Sequence, residues 1–223
     1  KAAQFLPEKS EFFADIPITL SVVECGNCGL VQLANEPVSY FKDVITAASL
    51  SEQSKYLLKA EFAKILKAIS LKGNKALEVG SGKGDFLPIL SELGFDARGL
   101  EHSAHNVNIS TQKGETITQG YLLDNPELGE KFDFIVCNNF LEHQPDVRAF
   151  LLKICDALKN YGFTVISVPN LQRIIEKNCF YEFVADHLVY FTKETLVRSM
   201  EYSGFEVVDC YEKNNENDLV VVA

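Results

Sequence analysis

Three groups of residues in this sequence have the types and spacing that chemistry needs. The first is the turn Glu78-Val79-Gly80-Ser81-Gly82-Lys83-Gly84, where alternate glycines would let a ligand come close to the backbone. The second is the set of histidines, because imidazole titrates near neutrality and can take a proton from an oxygen or an activated carbon. His187 follows Asp186 and lies near Tyr181 and Tyr190, and His143 follows Glu142. The third is Cys25-Gly26-Asn27-Cys28-Gly29, since two thiolates three residues apart on a tight turn can share one tetrahedral metal ion.

These residues need a frame to hold them. Lys75 to Val79 reads as a buried strand, Asp85 to Leu93 as a helix closed by Gly94, and Ala97 to Glu101 as a second strand. A helix near Ala104 to Lys113 follows, then strands at Thr116 to Gln119 and Phe132 to Cys137. Asp146 caps a helix carrying Phe150, Leu151, Ile154 and Leu158, and Phe163 to Val168 supplies a fifth apolar strand. Alternating strands and helices predict an α/β domain with an open, doubly wound, mostly parallel sheet. The tail breaks the alternation: after the helix Lys193 to Ser203, Glu206 to Tyr211 and Leu219 to Val222 read as an antiparallel hairpin. Ahead of this domain, Leu58, Phe62, Ile65, Leu66 and Ile69 recur at helical spacing behind a Ser51 cap. Residues 1–50 read as a small N-terminal β appendage, with a strand from Ile16 to Val23, and residues 51–223 as the main domain.

The glycine turn sits where α/β sheets bind adenosine-containing ligands, directly after the first strand and before a helix. Its spacing is G-x-G-x-G, whereas the dinucleotide fingerprint needs a third glycine at position 85, which is Asp. A carboxylate at that helix start would repel a pyrophosphate, so a nicotinamide dinucleotide is disfavoured and a ligand carrying an ammonium group is favoured. Read alone, the three glycines could also make nothing more than a tight strand-to-helix turn.

The run Leu77-Glu78-Val79-Gly80-Ser81-Gly82-Lys83-Gly84-Asp85-Phe86 resembles the first motif of class I S-adenosylmethionine-dependent methyltransferases. The segment Phe132 to His143 is similar to the family's fourth-strand motif, and Leu158 to Gly162 with Val168-Pro169-Asn170 to its fifth-strand block. The resemblance implies a Rossmann-like fold of strand order 3-2-1-4-5-7-6, with S-adenosyl-L-methionine as cofactor. It implies contacts to that cofactor from Glu78, Gly80, Ser81, Gly82, Gly84, Asp85 and Phe86. Glu101 and His102 would lie near the ribose, Tyr121 and Leu122 would wrap the adenine, and Asn138, Asn139 and Phe140 would line the methionine end.

Asp186 to Leu196 resembles a segment common to small-molecule methyltransferases, including sugar C-methyltransferases that use an acidic residue followed by His. His187 is accordingly the expected general base, Asp186 its support and His143 the runner-up, against a purely structural role for either imidazole. Val23 to Leu33 looks like the second half of the zinc-binding region that precedes some sugar C-methyltransferases, so Cys25 and Cys28 form a possible half zinc site needing upstream ligands. The expected reaction is C- or O-methylation of a small molecule, a nucleotide sugar or another metabolite. The alternative is a non-catalytic module that binds S-adenosylmethionine or a partner.

Absences and bulk properties narrow this. The residues after the fourth strand, Asn138-Asn139-Phe140-Leu141, are not the Asn-Pro-Pro-Tyr type of box that grips a planar nitrogen. No spaced acidic cluster of the catechol-enzyme kind is present, so a catalytic metal is not expected. A net charge of -10 argues against a surface built for nucleic acid or anionic lipid. Without a long apolar run or a signal-like start, the expected location is cytoplasmic. The sequence opens on Lys1, so the natural start is expected further upstream.

Overall fold

The computed structural model of the protein describes residues 8–14, 16–43 and 50–223. Its centre is a seven-stranded sheet of order β5-β4-β3-β6-β7-β10-β9, as the family resemblance implies. The strands are β3 (Lys75–Val79), β4 (Asp96–Glu101), β5 (Ile117–Gln119), β6 (Phe132–Asn138), β7 (Leu158–Pro169), β9 (Asp209–Lys213) and β10 (Asp218–Val222). The first five run parallel, and β10 lies antiparallel to both β7 and β9. Parallel strands are covered on both faces, which is why the central ones are apolar almost throughout. In β6, Ile135 and Cys137 enter one apolar cluster and Phe134 and Val136 the other.

Helices supply the two covers. On one face Phe62 of α1 (Glu52–Ala68) and Leu87, Ile89 and Leu90 of α2 (Leu87–Glu92) pack on Ala76 and Phe134. On the other, Phe150, Leu151 and Ile154 of α4 (Val147–Ala157) and Leu196 and Met200 of α6 (Lys193–Tyr202) pack on Leu77, Val79 and Ile135. The expected caps form: the Ser54 N–H donates to Ser51 Oγ at 3.1 Å and the Ala149 N–H to the Asp146 carboxylate at 2.8 Å. At α6, Thr192 and Thr195 form a reciprocal capping box. Thr192→Ala should therefore cost about 1 kcal/mol, read as a lowered urea midpoint with unchanged slope.

Two segments differ from expectation. The strand foreseen from Ile16 to Val23 shrinks to β1 (Val22–Glu24), because its partner β2 (Val31–Leu33) offers only three residues to pair with. Ile16 and Ile18 are left exposed. The stretch around Tyr190, expected as a plain connection, contains β8 (Val189–Tyr190), which pairs antiparallel with β2. The hairpin β1-β2 thereby joins a three-stranded sheet with the loop that carries His187. The remaining α-helices are α3 (Ala104–Gln112), along β4 and β5, and the short α5 (Leu171–Glu176) after β7. Among the described residues no helix is long and apolar enough to cross a membrane.

Candidate functional site

The turn after β3 depends on its glycines. Gly80, Gly82 and Gly84 have φ of 73°, 53° and 71°, the left-handed region where a side chain is strained. A Cβ on Gly84 would also lie 2.1 Å from the Ser110 hydroxyl of α3. Gly84→Ala should cost about 2 kcal/mol in chemical unfolding, an expectation that a midpoint shift within error would refute.

The turn is tied to β4. The Gly80 and Ser81 N–H groups donate to the Leu100 carbonyl at 2.9 and 3.1 Å, and the Gly82 N–H donates to Glu101 Oε2 at 2.8 Å. The other Glu101 oxygen accepts the Ser103 N–H at 2.8 Å. Oε1 also accepts from the Asn106 amide at 3.5 Å, so the buried Glu101 keeps a further lone pair on Oε2, the oxygen that faces the turn. Glu78 is buried beneath the same turn. One of its oxygens has no partner, and burial, then Glu101 and Asp85, push its carboxyl well above the usual range.

Beside this turn lies a small hollow of about 10 Å³ lined by Lys42, Val79, Gly80, Leu100, His102 and Tyr121, together with Leu122 and Phe140. It therefore gathers five of the expected cofactor residues: Gly80, His102, Tyr121, Leu122 and Phe140. The Tyr121 hydroxyl donates to Gln144 at 2.6 Å, and Gln144 donates to the Phe140 carbonyl at 2.8 Å. Asp85 and Phe86 do not line the hollow. Lys113 draws Asp85 into an ion pair at 2.6 Å, and Phe86 stacks into the core on Phe62 with ring centres 4.8 Å apart.

Phe41, Lys42 and Asp43 cover the hollow, which no sequence signal indicated. Phe41 meets Tyr121 edge-on at 5.9 Å, Lys42 lies over the same ring and pairs with Asp124 at 2.7 Å, and Asp43 bonds His102 at 2.7 Å. They follow a stretch of mixed patterns with no periodicity to mark it.

At the end of β6 the chain divides two cavities. Asn139 adopts φ 44°, its side chain accepts from the Ser167 hydroxyl at 2.8 Å, and Asn138 accepts from the same hydroxyl at 3.3 Å. Phe140 borders the hollow, whereas Asn139 lines a separate pocket of about 400 Å³. That pocket holds Glu142, His143 and His187, with Asn170 and Arg173 among its polar walls.

The two histidines meet edge-to-face, with ring centres 4.8 Å apart. His143 Nδ1 lies 2.6 Å from the Asp186 carbonyl oxygen, so it carries the proton and donates, leaving Nε2 with a free lone pair. Asp186 thus acts on His143 through its carbonyl. Among the described residues no hydrogen bond joins its carboxylate to His187, whose Nδ1 is buried without a partner. Burial, then His143, push the His187 pKa down to about 3, and burial lowers that of His143 as well. Burial pushes Glu142 the other way, up to about 8, reinforced by Asp218 and Asp186. His105 is exposed on α3, far from any role.

In the hairpin, the Cys25 N–H donates to the Leu30 carbonyl at 2.9 Å and the Gly29 N–H to the Cys25 carbonyl at 2.8 Å. The backbone N–H groups of Cys28 and Asn27 lower the Cys25 thiol pKa. All six cysteines are free thiols.

A family model for a methyltransferase domain matches residues 50–209. The chain belongs to that family, the class I S-adenosylmethionine-dependent methyltransferases, and carries its Rossmann-like sheet. Among curated relatives, the C-methyltransferase NovU of Streptomyces niveus is 23% identical over 232 residues, covering 99% of this chain and 54% of its own length. A ubiquinone biosynthesis O-methyltransferase of Azorhizobium caulinodans is 26% identical over 106 residues, covering 45% of this chain and 42% of its own. The chain spans about half the length of the curated relatives it matches. A solved S-adenosylmethionine-dependent methyltransferase from Clostridium acetobutylicum has the same fold, with a TM-score of 0.63 over 77% of this chain and 91% of that one, at 9% identity.

Proposed function

We propose that this protein transfers a methyl group from S-adenosylmethionine to an oxygen or carbon of a polar small molecule. The observation that carries the reading is the division made by Asn139 and Phe140, with the glycine-turn hollow on one side and the histidine-lined pocket on the other. A methyl group presented across that divide would meet an acceptor in line, and positioning of this kind is most of what a sulfonium displacement requires. The cofactor's vicinal ribose hydroxyls have an acceptor in Glu101, and its ammonium would neutralise the unpartnered Glu78 carboxylate. Glu78, Gly80, Ser81, Gly82, Glu101, His102, Tyr121, Leu122, Asn138, Asn139 and Phe140 form the proposed cofactor set. Gly84, Asp85 and Phe86 shape the turn from behind.

At about 10 Å³ the hollow is far below the roughly 300 Å³ at which small-molecule sites begin, so the segment Phe41–Asp43 must move for a nucleoside to enter. The Lys42–Asp124 and Asp43–His102 pairs that hold the cover are partly exposed, and such pairs contribute only about 0–1 kcal/mol each.

His187 is the proposed base, since its buried neutral ring keeps a lone pair available, and His143 with Asp186 orients it. The amides of Asn139, Asn170 and Asn217 and the Arg173 guanidinium suit an oxygen-rich acceptor, of which a nucleotide sugar is one class. Residues 51–223 would act as the catalytic domain and the preceding residues as an appendage. In the appendage Cys25 and Cys28 fit two positions of a zinc knuckle, because backbone N–H groups already favour the thiolate at Cys25. Two more ligands would have to come from outside the described residues.

Titration calorimetry with S-adenosylmethionine tests the reading. Binding in the micromolar range that weakens at least tenfold in Glu101→Ala is expected, and no heat at millimolar cofactor would end it. Binding without turnover on any acceptor would favour the non-catalytic alternative.

A further inference from the structure

We propose that Glu142, His143 and His187 form a binding site for a late first-row divalent ion such as zinc or cobalt, open on one side to the large pocket. The reading is independent of the knuckle at Cys25 and Cys28, and it concerns the same pocket as the proposed transfer.

The spacing of the three side chains points to it. One ligand atom from each, two imidazole nitrogens and a carboxylate oxygen, lies within 4.8 Å of the others. His143 Nε2 and Glu142 Oε1 are 4.0 Å apart, too far for a hydrogen bond and close to the distance between two ligands of one ion. With bonds of about 2.0–2.1 Å, tetrahedral ligands sit roughly 3.4 Å apart, so contraction by up to about 1.4 Å would close the site.

Three further observations are independent of that spacing. Glu142 is 1% exposed, yet its Oε2 has no partner, and the buried His187 Nδ1 has none either. Buried polar atoms in native proteins are nearly always satisfied, so two orphans in one cluster call for a guest. His143 donates its Nδ1–H to a backbone carbonyl, the arrangement that fixes the tautomer and orientation of a metal-bound imidazole. All three residues line the pocket wall, so a fourth position faces the cavity, as in sites that keep a place for a substrate oxygen. Two imidazoles and one carboxylate suit zinc and its neighbours, whereas magnesium and calcium prefer oxygen throughout.

An ion here would occupy the lone pairs that proton abstraction uses. Metal and base are therefore exclusive uses of His187, and micromolar zinc should inhibit transfer that relies on the free imidazole.

The test uses the full chain carrying Cys25→Ser and Cys28→Ser, so that the knuckle contributes nothing. Titration with cobalt(II) chloride should develop the visible absorption of a low-symmetry site with a stoichiometry of one, and zinc should bleach it. Glu142→Gln and His187→Gln, each verified as folded by near-ultraviolet circular dichroism, should weaken cobalt binding at least ~100-fold, beyond the loss typical of outer-shell changes. His143→Gln, on the same short helix as Glu142, should do the same. Absence of the band in the cysteine-free protein, or affinity unchanged in the variants, overturns the site. The measurement involves no methyl donor, so a chain that binds cobalt but never transfers a methyl group would refute the enzymatic reading and leave the site standing.

Discussion

His187→Ala is expected to slow methyl transfer by about 10²–10⁴-fold while leaving the affinity for S-adenosylmethionine unchanged, because general-base help is worth that much and His187 lies across the Asn139–Phe140 divide from the cofactor hollow. Single-turnover kinetics with the cofactor saturating would separate the two effects. His143→Ala should give a smaller loss, since it orients its neighbour. The base must accept its proton in a site where burial disfavours imidazolium, so a carboxylate nearby has to stabilise the product of abstraction. Glu142 can do so only once ionised, which predicts a rate that climbs with pH towards 8 and a flattened profile in Glu142→Gln. Turnover of His187→Ala equal to the parent would remove the residue from the mechanism.

Glu142→Gln is expected to stabilise the fold, and increasingly so as pH rises. The folded pKa is about 8 against an ordinary 4.5, so well below pH 4.5 the carboxyl is neutral in both states and costs nothing, and at pH 4.5 the cost is still only a few tenths of a kcal/mol, roughly RT ln 2. Between pH 4.5 and 8 the unfolded chain ionises and the folded one resists, so stability drains away across that window. At pH 8 the amide variant should exceed the parent by up to about 4 kcal/mol, and at pH 4.5 the two should nearly coincide. His187 has the opposite slope: its folded pKa of about 3 lies below 6.5, so its contribution is complete above pH 6.5 and is lost as pH falls towards 3. Urea unfolding at four pH values would read both. A variant no more stable than the parent at pH 8 would mean that Glu142 is charged in the fold.

Much of the frame was legible because it is written in local periodicity. The parallel strands, the caps at Ser51 and Asp146, and the order of the seven-stranded sheet follow from apolar runs and from one motif set. The family resemblance put Glu101 near the ribose beside the glycine turn, and its carboxylate does accept the Gly82 N–H. What local patterns could not carry were contacts between distant segments. Phe41 and Lys42 reach Tyr121 and Asp124 from some eighty residues earlier, and nothing in their neighbourhood predicts it. The two-residue β8 is too short to have a period, and it exists because Val31 and Gln32 supply its partners. Asp85 looked like part of the ligand turn because position could be inferred but direction could not, and Lys113 of α3 decides where it points.

The pairing of β2 with β8 has a mechanical consequence. Val31 lies opposite Tyr190, Gln32 opposite Val189, and the Leu33 N–H donates to the Leu188 carbonyl at 2.9 Å, one residue from His187. The stiffness of the imidazole's perch is thus inherited from a hairpin whose other end holds Cys25 and Cys28, and Arg198 of α6 anchors that end through the Cys28 carbonyl at 2.8 Å. Oxidising or alkylating those thiols would be felt as a loosened acceptor loop, a disturbance delivered along a ribbon of backbone without any contact to substrate.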